Sequence, residues 1–170
     1  MHPIVDCGLV EHVNQNVKKK LYKMNYIRTI KKILDYGIGQ KGISTAGEGD
    51  IYEINSMPAE NYPIFWVAST SPHTEKKNYI TYNLTLYYID RQLNDSDMKG
   101  CPDTTQISSA GISILSNVIK KLRNDPEVLA VNDDVQYTVW TDTQIFADKC
   151  AGVYANISIS MAHENTCIAE

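Results

Sequence analysis

Strict alternation of side-chain character between residues 79 and 90 constrains the fold of this chain most. In the segment YITYNLTLYYID the apolar core positions recur at every second residue: Ile80, Tyr82, Leu84, Leu86 and Tyr88. A period of two over this length predicts a half-buried antiparallel strand. The intervening positions carry Thr81, Asn83, Thr85 and Tyr87. The chain must therefore build a sheet with one buried face, and the second face has the composition of a contact surface.

Two segments have the spacing of amphipathic helices. Between residues 9 and 36 apolar side chains recur at steps of three and four, either as one helix or as two that break near Asn25, and Gly37 and Gly39 are the predicted stop. A second helix is predicted over 104–124, capped by Asp103 or Thr104 and closed by Asn124-Asp125-Pro126. The small residues Ala110 and Gly111 would let this helix approach a sheet closely.

Four further strands are predicted at 51–58, 62–70, 135–146 and 153–161. They are joined by a glycine-rich loop or hairpin at 38–50, a polar connection at 71–78 and a turn at 148–152. Strands that follow one another with so few helices favour an α+β fold. We expect an antiparallel sheet of about four to five strands, packed by the N-terminal helical region and one central helix. A single domain should span 1–170, with its core at about 9–161 and a loose tail at 162–170.

The net charge of −4 is unevenly distributed. Residues 1–40 hold seven Lys or Arg against three acids, a charge of +4, and the rest of the chain carries −8. The solvated face of a helix explains such a basic run, whereas head-to-tail assembly against a neighbour's acidic surface and a nucleic-acid patch are the alternatives. With no apolar signal segment and no apolar run of membrane-spanning length, we expect a soluble protein made in the cytosol.

Signatures of catalysis or metal binding are scarce in the sequence. It contains no phosphate loop, dinucleotide fingerprint, HExxH or GxSxG motif, and its four cysteines are too scattered for a zinc site. Cys150 and His163 would lie about 40 Å apart along a strand, too far for a nucleophile and its base. Asp142 and Asp148 flank Phe146 and are a candidate cation pair. We therefore predict no enzyme activity, no cofactor and no metal.

Aromatic residues supply the best candidate site. Eleven Tyr stand against two Phe and two Trp, and Tyr and Trp are the residues that anchor protein interfaces. The candidate subunit-interface residues are Tyr79, Tyr87, Trp140 and Tyr154. Ordinary cross-strand packing on a twisted sheet is the alternative explanation for these side chains.

Taken in order, these segments resemble a known family. The N-terminal helix, YPIFWVAST, NYITYNLTLYYIDR, DTTQISSAGISILSNVIKKL and TDTQIFADKCAGVYANISISM are similar to tail terminator or tail completion proteins of tailed bacteriophages. The last two segments are most similar to versions from Bacteroidetes-infecting phages, including neck or tail ring proteins of crAss-like phages. The more basic N-terminal helix and the glycine-rich loop depart from the pattern of a generic terminator.

The resemblance implies a structural virion protein with no enzyme activity. It would form a homo-oligomeric ring of six or twelve copies at the head–tail junction or tail, assembled in the bacterial cytoplasm. Adjacent connector, neck or tail proteins would dock on the ring, and genomic DNA would pass through it. The last strand or YPIFWVAST is the expected inter-subunit edge. A small intracellular nucleic-acid-binding regulator and an enzyme with an unrecognised site remain the alternatives.

Overall fold

The computed structural model describes residues 15–69, 73–91, 103–142 and 150–162. This part of the chain forms two α-helices and seven strands: α1 Gln15–Ile38, β1 Thr45–Glu48, β2 Ile64–Ser69, β3 Thr74–Glu75, β4 Tyr79–Arg91, α2 Thr104–Arg123, β5 Val128–Val131, β6 Tyr137–Asp142 and β7 Cys150–Ala162. The predicted α+β class is confirmed. The sheet order is β1-β2-β4-β7-β5, with β3 also on β4 and β6 also on β7.

The centre of the sheet is the long antiparallel pair β4 and β7, which runs from Tyr79 opposite Ala162 to Arg91 opposite Cys150. The predicted alternation in β4 is confirmed. Tyr82, Leu84, Leu86 and Tyr88 are almost fully buried and belong to the main core. Strand β7 follows the same rule, since Val153, Ala155, Ile157, Ile159 and Met161 fill that core from the neighbouring strand.

Both helices lie on this one face of the sheet, α1 against β1 and β2, and α2 chiefly against β7 and β4. Helix α2 begins as predicted, because the Asp103 carboxylate accepts a hydrogen bond from Gln106 N at 2.7 Å. Gly111 allows the close approach: a Cβ there would lie 2.7 Å from Tyr88 Cδ1 and 2.9 Å from Val153 Cγ2. The same expectation was wrong for Ala110, which is exposed.

The prediction of a strand at 51–58 was wrong. Residues 51–58 do not extend; Ile51–Ser56 form a 3₁₀ helix because Asp50 and Glu53 make a reciprocal capping box at its start. This helix places Ile54, which is fully buried, against the sheet face opposite α1 and α2.

Three short strands were not predicted, and one strand begins earlier than predicted. Thr74–Glu75, within the predicted polar connection, form β3 on β4. The glycine-rich loop contains β1, which pairs parallel to β2 and makes the sheet mixed rather than wholly antiparallel. Val128–Val131 form a strand, β5, that the sequence did not indicate. The predicted turn is wrong for Cys150, Ala151 and Gly152, which belong to β7. Residues 143–149 and 163–170, including the rest of that turn and of the predicted tail, lie outside the described residues.

The N-terminal helix differs from its prediction at both ends. Helix α1 is continuous through Asn25 and ends at Ile38, while the predicted residues 9–14 lie outside the described part. Gly37 is within the helix and buried, and a Cβ at this position would overlap the Phe65 ring. Its role is therefore close packing of α1 on β2 rather than termination. Ile30 and Ile33 are buried as expected, but Ile27 is 52% exposed.

Candidate interaction surface

The sheet face opposite α1 and α2, here called the open face, carries a ladder of polar side chains between β4 and β7. Three directly opposed pairs are hydrogen-bonded: Thr81 Oγ1 to Ser160 Oγ at 2.9 Å, Ser158 Oγ to Asn83 Oδ1 at 2.7 Å, and Thr85 Oγ1 to Asn156 Oδ1 at 2.6 Å. Such cross-strand pairs fix the register of a sheet where no apolar layer covers it.

The four predicted interface residues all lie on the open face but do not form one patch. Tyr87 and Tyr154 are opposite each other with ring centroids 5.7 Å apart, and Trp140 lies nearby over Gly152. Tyr79 is eight residues from Tyr87 on the same strand, about 26 Å away at the rise of a strand. Tyr87, Tyr154 and Trp140 are therefore brought together, and Tyr79 is not.

The paired tyrosines support part of the alternative explanation, because these rings pack on each other across the strands. All four predicted side chains are half-buried. Trp140 and Tyr87 also pack against a second small core formed by Ile54, Ile64, Trp66, Ile89 and Cys150. The aromatic end of the open face is thus a partly covered apolar surface beside the outer strand β6.

Strand β6 forms an edge of the sheet. It pairs with β7 on one side, and no strand in the described ranges pairs with its other side. The segment Tyr137–Thr141 contains neither a charged residue nor a proline, and Val139 is 47% exposed. Natural edge strands are usually protected by Lys, Pro or a bulge, so an uncharged edge is a template for pairing with another chain. The prediction that the last strand or YPIFWVAST forms the inter-subunit edge was wrong. The last strand is β7, which pairs with β4 on one side and with β5 and β6 on the other, and YPIFWVAST contains β2, which lies between β1 and β4. The sequence predicted β6 as a strand but did not indicate its place at the edge.

A groove of about 560 Å³ lies between β5 and β6. Here the chain that joins these two strands does not pair regularly with β7. In place of regular pairing, Asn132 binds Ser158 of β7 twice: its Oδ1 accepts from Ser158 N at 2.9 Å, and its backbone N donates to Ser158 O at 3.1 Å. Asn132 Nδ2 also donates to Asp134 O at 2.7 Å. Polar side chains of Asp134, Gln136, Thr138 and Asn156 line the groove. The one sequence signal for this groove is the run of turn-forming residues Asn132-Asp133-Asp134 before Val135.

Two residues of the basic N-terminal run find acidic partners within the same chain. Lys32 Nζ lies 2.8 Å from Asp125 Oδ1 and 2.6 Å from Glu127 Oε2, and Arg28 Nη2 lies 2.6 Å from Glu127 Oε1. Tyr36 Oη donates to Asp125 Oδ2 at 2.6 Å. Although burial acts to raise it, the hydrogen bonds from Lys32 and Tyr36 hold the pKa of Asp125 below its ordinary value. These contacts attach α1 to the turn after α2.

A cluster of three rings joins α1 to β4. His73 lies 5.2 Å from Tyr26 and 5.0 Å from Tyr82 between ring centroids, and the two tyrosines are 5.5 Å apart. Partial burial of the imidazole lowers the pKa of His73.

Acidification should therefore destabilise the protein through His73. Above its unfolded pKa of about 6.5 the imidazole is neutral in both states and contributes no pH dependence. As pH falls below that value the unfolded state binds the proton first, so the free energy of unfolding decreases until the lower folded pKa is passed. Urea unfolding at several pH values should show this loss. In a His73→Phe variant, which keeps a ring, the loss below pH 6.5 should be smaller; an unchanged pH dependence would contradict the assignment.

The described residues show no cluster of acidic, His and Cys side chains that would bind a metal ion. The candidate cation pair cannot be followed, because Asp148 lies outside the described ranges and nothing is described of the Asp142 side chain. Cys150 is buried at the start of β7, and His163 lies outside those ranges. Neither α1 nor α2 is long and apolar enough to cross a membrane.

Comparison of the chain with protein-family models and with curated proteins found no match.

Proposed function

We propose that this protein is a structural subunit of a homo-oligomeric ring at the head–tail junction or tail of a bacteriophage virion. The observation that best supports the proposal is the edge strand β6, which is uncharged from Tyr137 to Thr141. It exposes Val139 on the sheet face that carries the helices and places Trp140 at the aromatic end of the open face. An edge strand offers main-chain hydrogen bonds to a neighbour, and adjacent aromatic side chains supply apolar contact area.

The two edges of the sheet permit head-to-tail assembly, whereas pairing of β6 with β6 of a second copy would give a two-fold dimer. The sheet order places β1 and the β5–β6 edge on opposite sides, so pairing of β6 with β1 of the next copy uses two different surfaces. Head-to-tail contacts of this kind form a ring where the rotation between neighbouring subunits closes, and an open filament where it does not. Six or twelve subunits, neighbouring connector or tail proteins, and passage of DNA through the channel follow from the family resemblance.

The ion pairs weigh against a nucleic-acid-binding regulator. Arg28 and Lys32 of α1 pair with carboxylates of the same chain, at distances of 2.6 to 2.8 Å. A phosphate would have to displace Asp125 or Glu127 to reach them, which removes part of the charge that such a surface would need.

Placing a charge on the edge should prevent assembly without unfolding the subunit. In Val139→Lys the ammonium would be desolvated if a neighbouring strand paired there, so we expect the oligomer to dissociate to the 19.1 kDa monomer. Sedimentation velocity measures this. Ile27→Lys is the matched control, because Ile27 is 52% exposed on α1, which packs against β1, β2 and α2. An oligomer that survives in Val139→Lys would show that β6 is not the contact, and a wild-type monomer would refute the ring itself.

A further inference from the structure

We propose that the groove between β5 and β6 binds a neutral saccharide. Its volume of about 560 Å³ falls within the range of about 300–1,000 Å³ that is typical of small-molecule sites. Such sites are mostly apolar, whereas the side chains that face this groove are carboxamides, hydroxyls and one carboxylate. A polar lining selects a ligand that is itself rich in hydrogen-bonding groups.

The lining offers donors and acceptors in the mixture that vicinal hydroxyl groups require. The Oδ1 atom of Asn156 accepts from Thr85 Oγ1 at 2.6 Å, so the Asn156 NH₂ group is left to donate toward the groove. Gln136 and Thr138 are exposed and add groups that both donate and accept, and the exposed Asp134 carboxylate adds an acceptor. Each sugar hydroxyl donates one hydrogen bond and accepts others, which matches this set.

The charge of the residues that line the groove argues against anionic ligands, which are the main alternative to a saccharide. The described residues that line the groove include no Lys, Arg or His, and Asp134 would repel an anion. A phosphate or carboxylate ligand would therefore lack a counter-charge. The apolar side chains of a bound peptide would also lack a pocket, because Leu84 and Ile157 are buried and point into the main core.

The groove is held in shape before any ligand arrives. Asn132 is fixed by its hydrogen bonds to Ser158 and Asp134, and Arg123 Nη2 donates to Asn132 O at 2.7 Å and to Asp133 O at 2.9 Å. A preformed site avoids the entropic cost of ordering a loop on binding.

Saturation-transfer NMR on the full chain tests this inference in any assembly state. Maltose, lactose and N,N′-diacetylchitobiose are the probes, and citrate is the anionic control. We expect transfer to at least one disaccharide, with a Kd on the order of 1 mM, and none to citrate. Absence of transfer to all three disaccharides would overturn the proposal.

Substitutions of residues that line the groove test whether the saccharide binds there. Gln136→Ala should weaken the transfer about fivefold, because one hydrogen bond to the saccharide is lost. Asp134→Asn removes the one carboxylate that lines the groove and is a second probe of the same site. Gln106→Ala is the matched control, an exposed glutamine in the first turn of α2. Circular dichroism confirms that each variant is folded. Equal transfer in wild type, Gln136→Ala and Asp134→Asn would place the sugar elsewhere and also overturn the proposal.

Discussion

Replacement of Asp125 by alanine should lower the free energy of unfolding by about 2–3 kcal/mol. The Asp125 carboxylate is 3% exposed and receives hydrogen bonds from Lys32, Tyr36 and the backbone of Glu127. Its removal leaves Tyr36 Oη without this acceptor and takes from the Lys32 ammonium one of its two carboxylate partners, so α1 is held less firmly to the turn after α2. Urea unfolding at neutral pH measures the loss.

The pH dependence of the same variant provides a second check. Because the folded pKa of Asp125 is depressed, its contribution is complete above the ordinary carboxyl pKa of about 4 and is lost as pH falls through the folded value. The difference between wild type and Asp125→Ala should therefore shrink in strong acid. Asp133→Ala is the control, since Asp133 is exposed and its replacement should change stability by less than about 0.5 kcal/mol. Equal effects of the two variants would contradict the role of Asp125.

Gly37→Ala should lower the free energy of unfolding by about 2 kcal/mol, against the usual expectation that alanine stabilises a helix. A Cβ at Gly37 would overlap the ring of Phe65, which is fully buried in the main core. Overpacking of a rigid core costs about 1–3 kcal/mol or more, and the helix-propensity gain of about 1 kcal/mol recovers only part of it.

Gly39→Ala is the matched control for this helix end. Gly39 is exposed, and the nearest atom to a Cβ there is Asp35 O at 3.1 Å, a contact that a small shift relieves. Thermal unfolding should show a clear loss for Gly37→Ala and a change within about 1 kcal/mol for Gly39→Ala. A Gly37→Ala variant as stable as wild type would mean that α1 packs on β2 less closely than described.

The elements that the sequence predicted well are those with a long uninterrupted period. The alternation of residues 79–90 and the three-four spacing of 104–124 both predicted the buried positions of β4 and α2, because each pattern extends over many residues and is set by one buried face. The cap at Asp103 was equally visible, since the acceptor and the helix start are adjacent in sequence.

The elements that the sequence missed depend on partners far along the chain. Strand β1 has only four residues and exists through its pairing with β2, and β5 is likewise held by β7 after a register shift. The segment Ile51–Ser56 has strand-like composition, but its local capping box outweighed that preference. For the candidate interface, the alternation of side chains along each strand indicated that the same face carries Tyr79, Tyr87, Trp140 and Tyr154. The eight-residue spacing of Tyr79 and Tyr87 already separates these two on one strand, whereas the approach of Trp140 and Tyr154 to Tyr87 depends on strand register, which the sequence does not reveal.

Electron cryomicroscopy of the purified full-length chain tests the central proposal most directly. A ring built by head-to-tail contacts predicts closed particles with six-fold or twelve-fold rotational symmetry around a central channel, in which β6 of each subunit lies against the next copy. Two-fold particles joined through paired β6 edges, or monomers at every concentration, would contradict it.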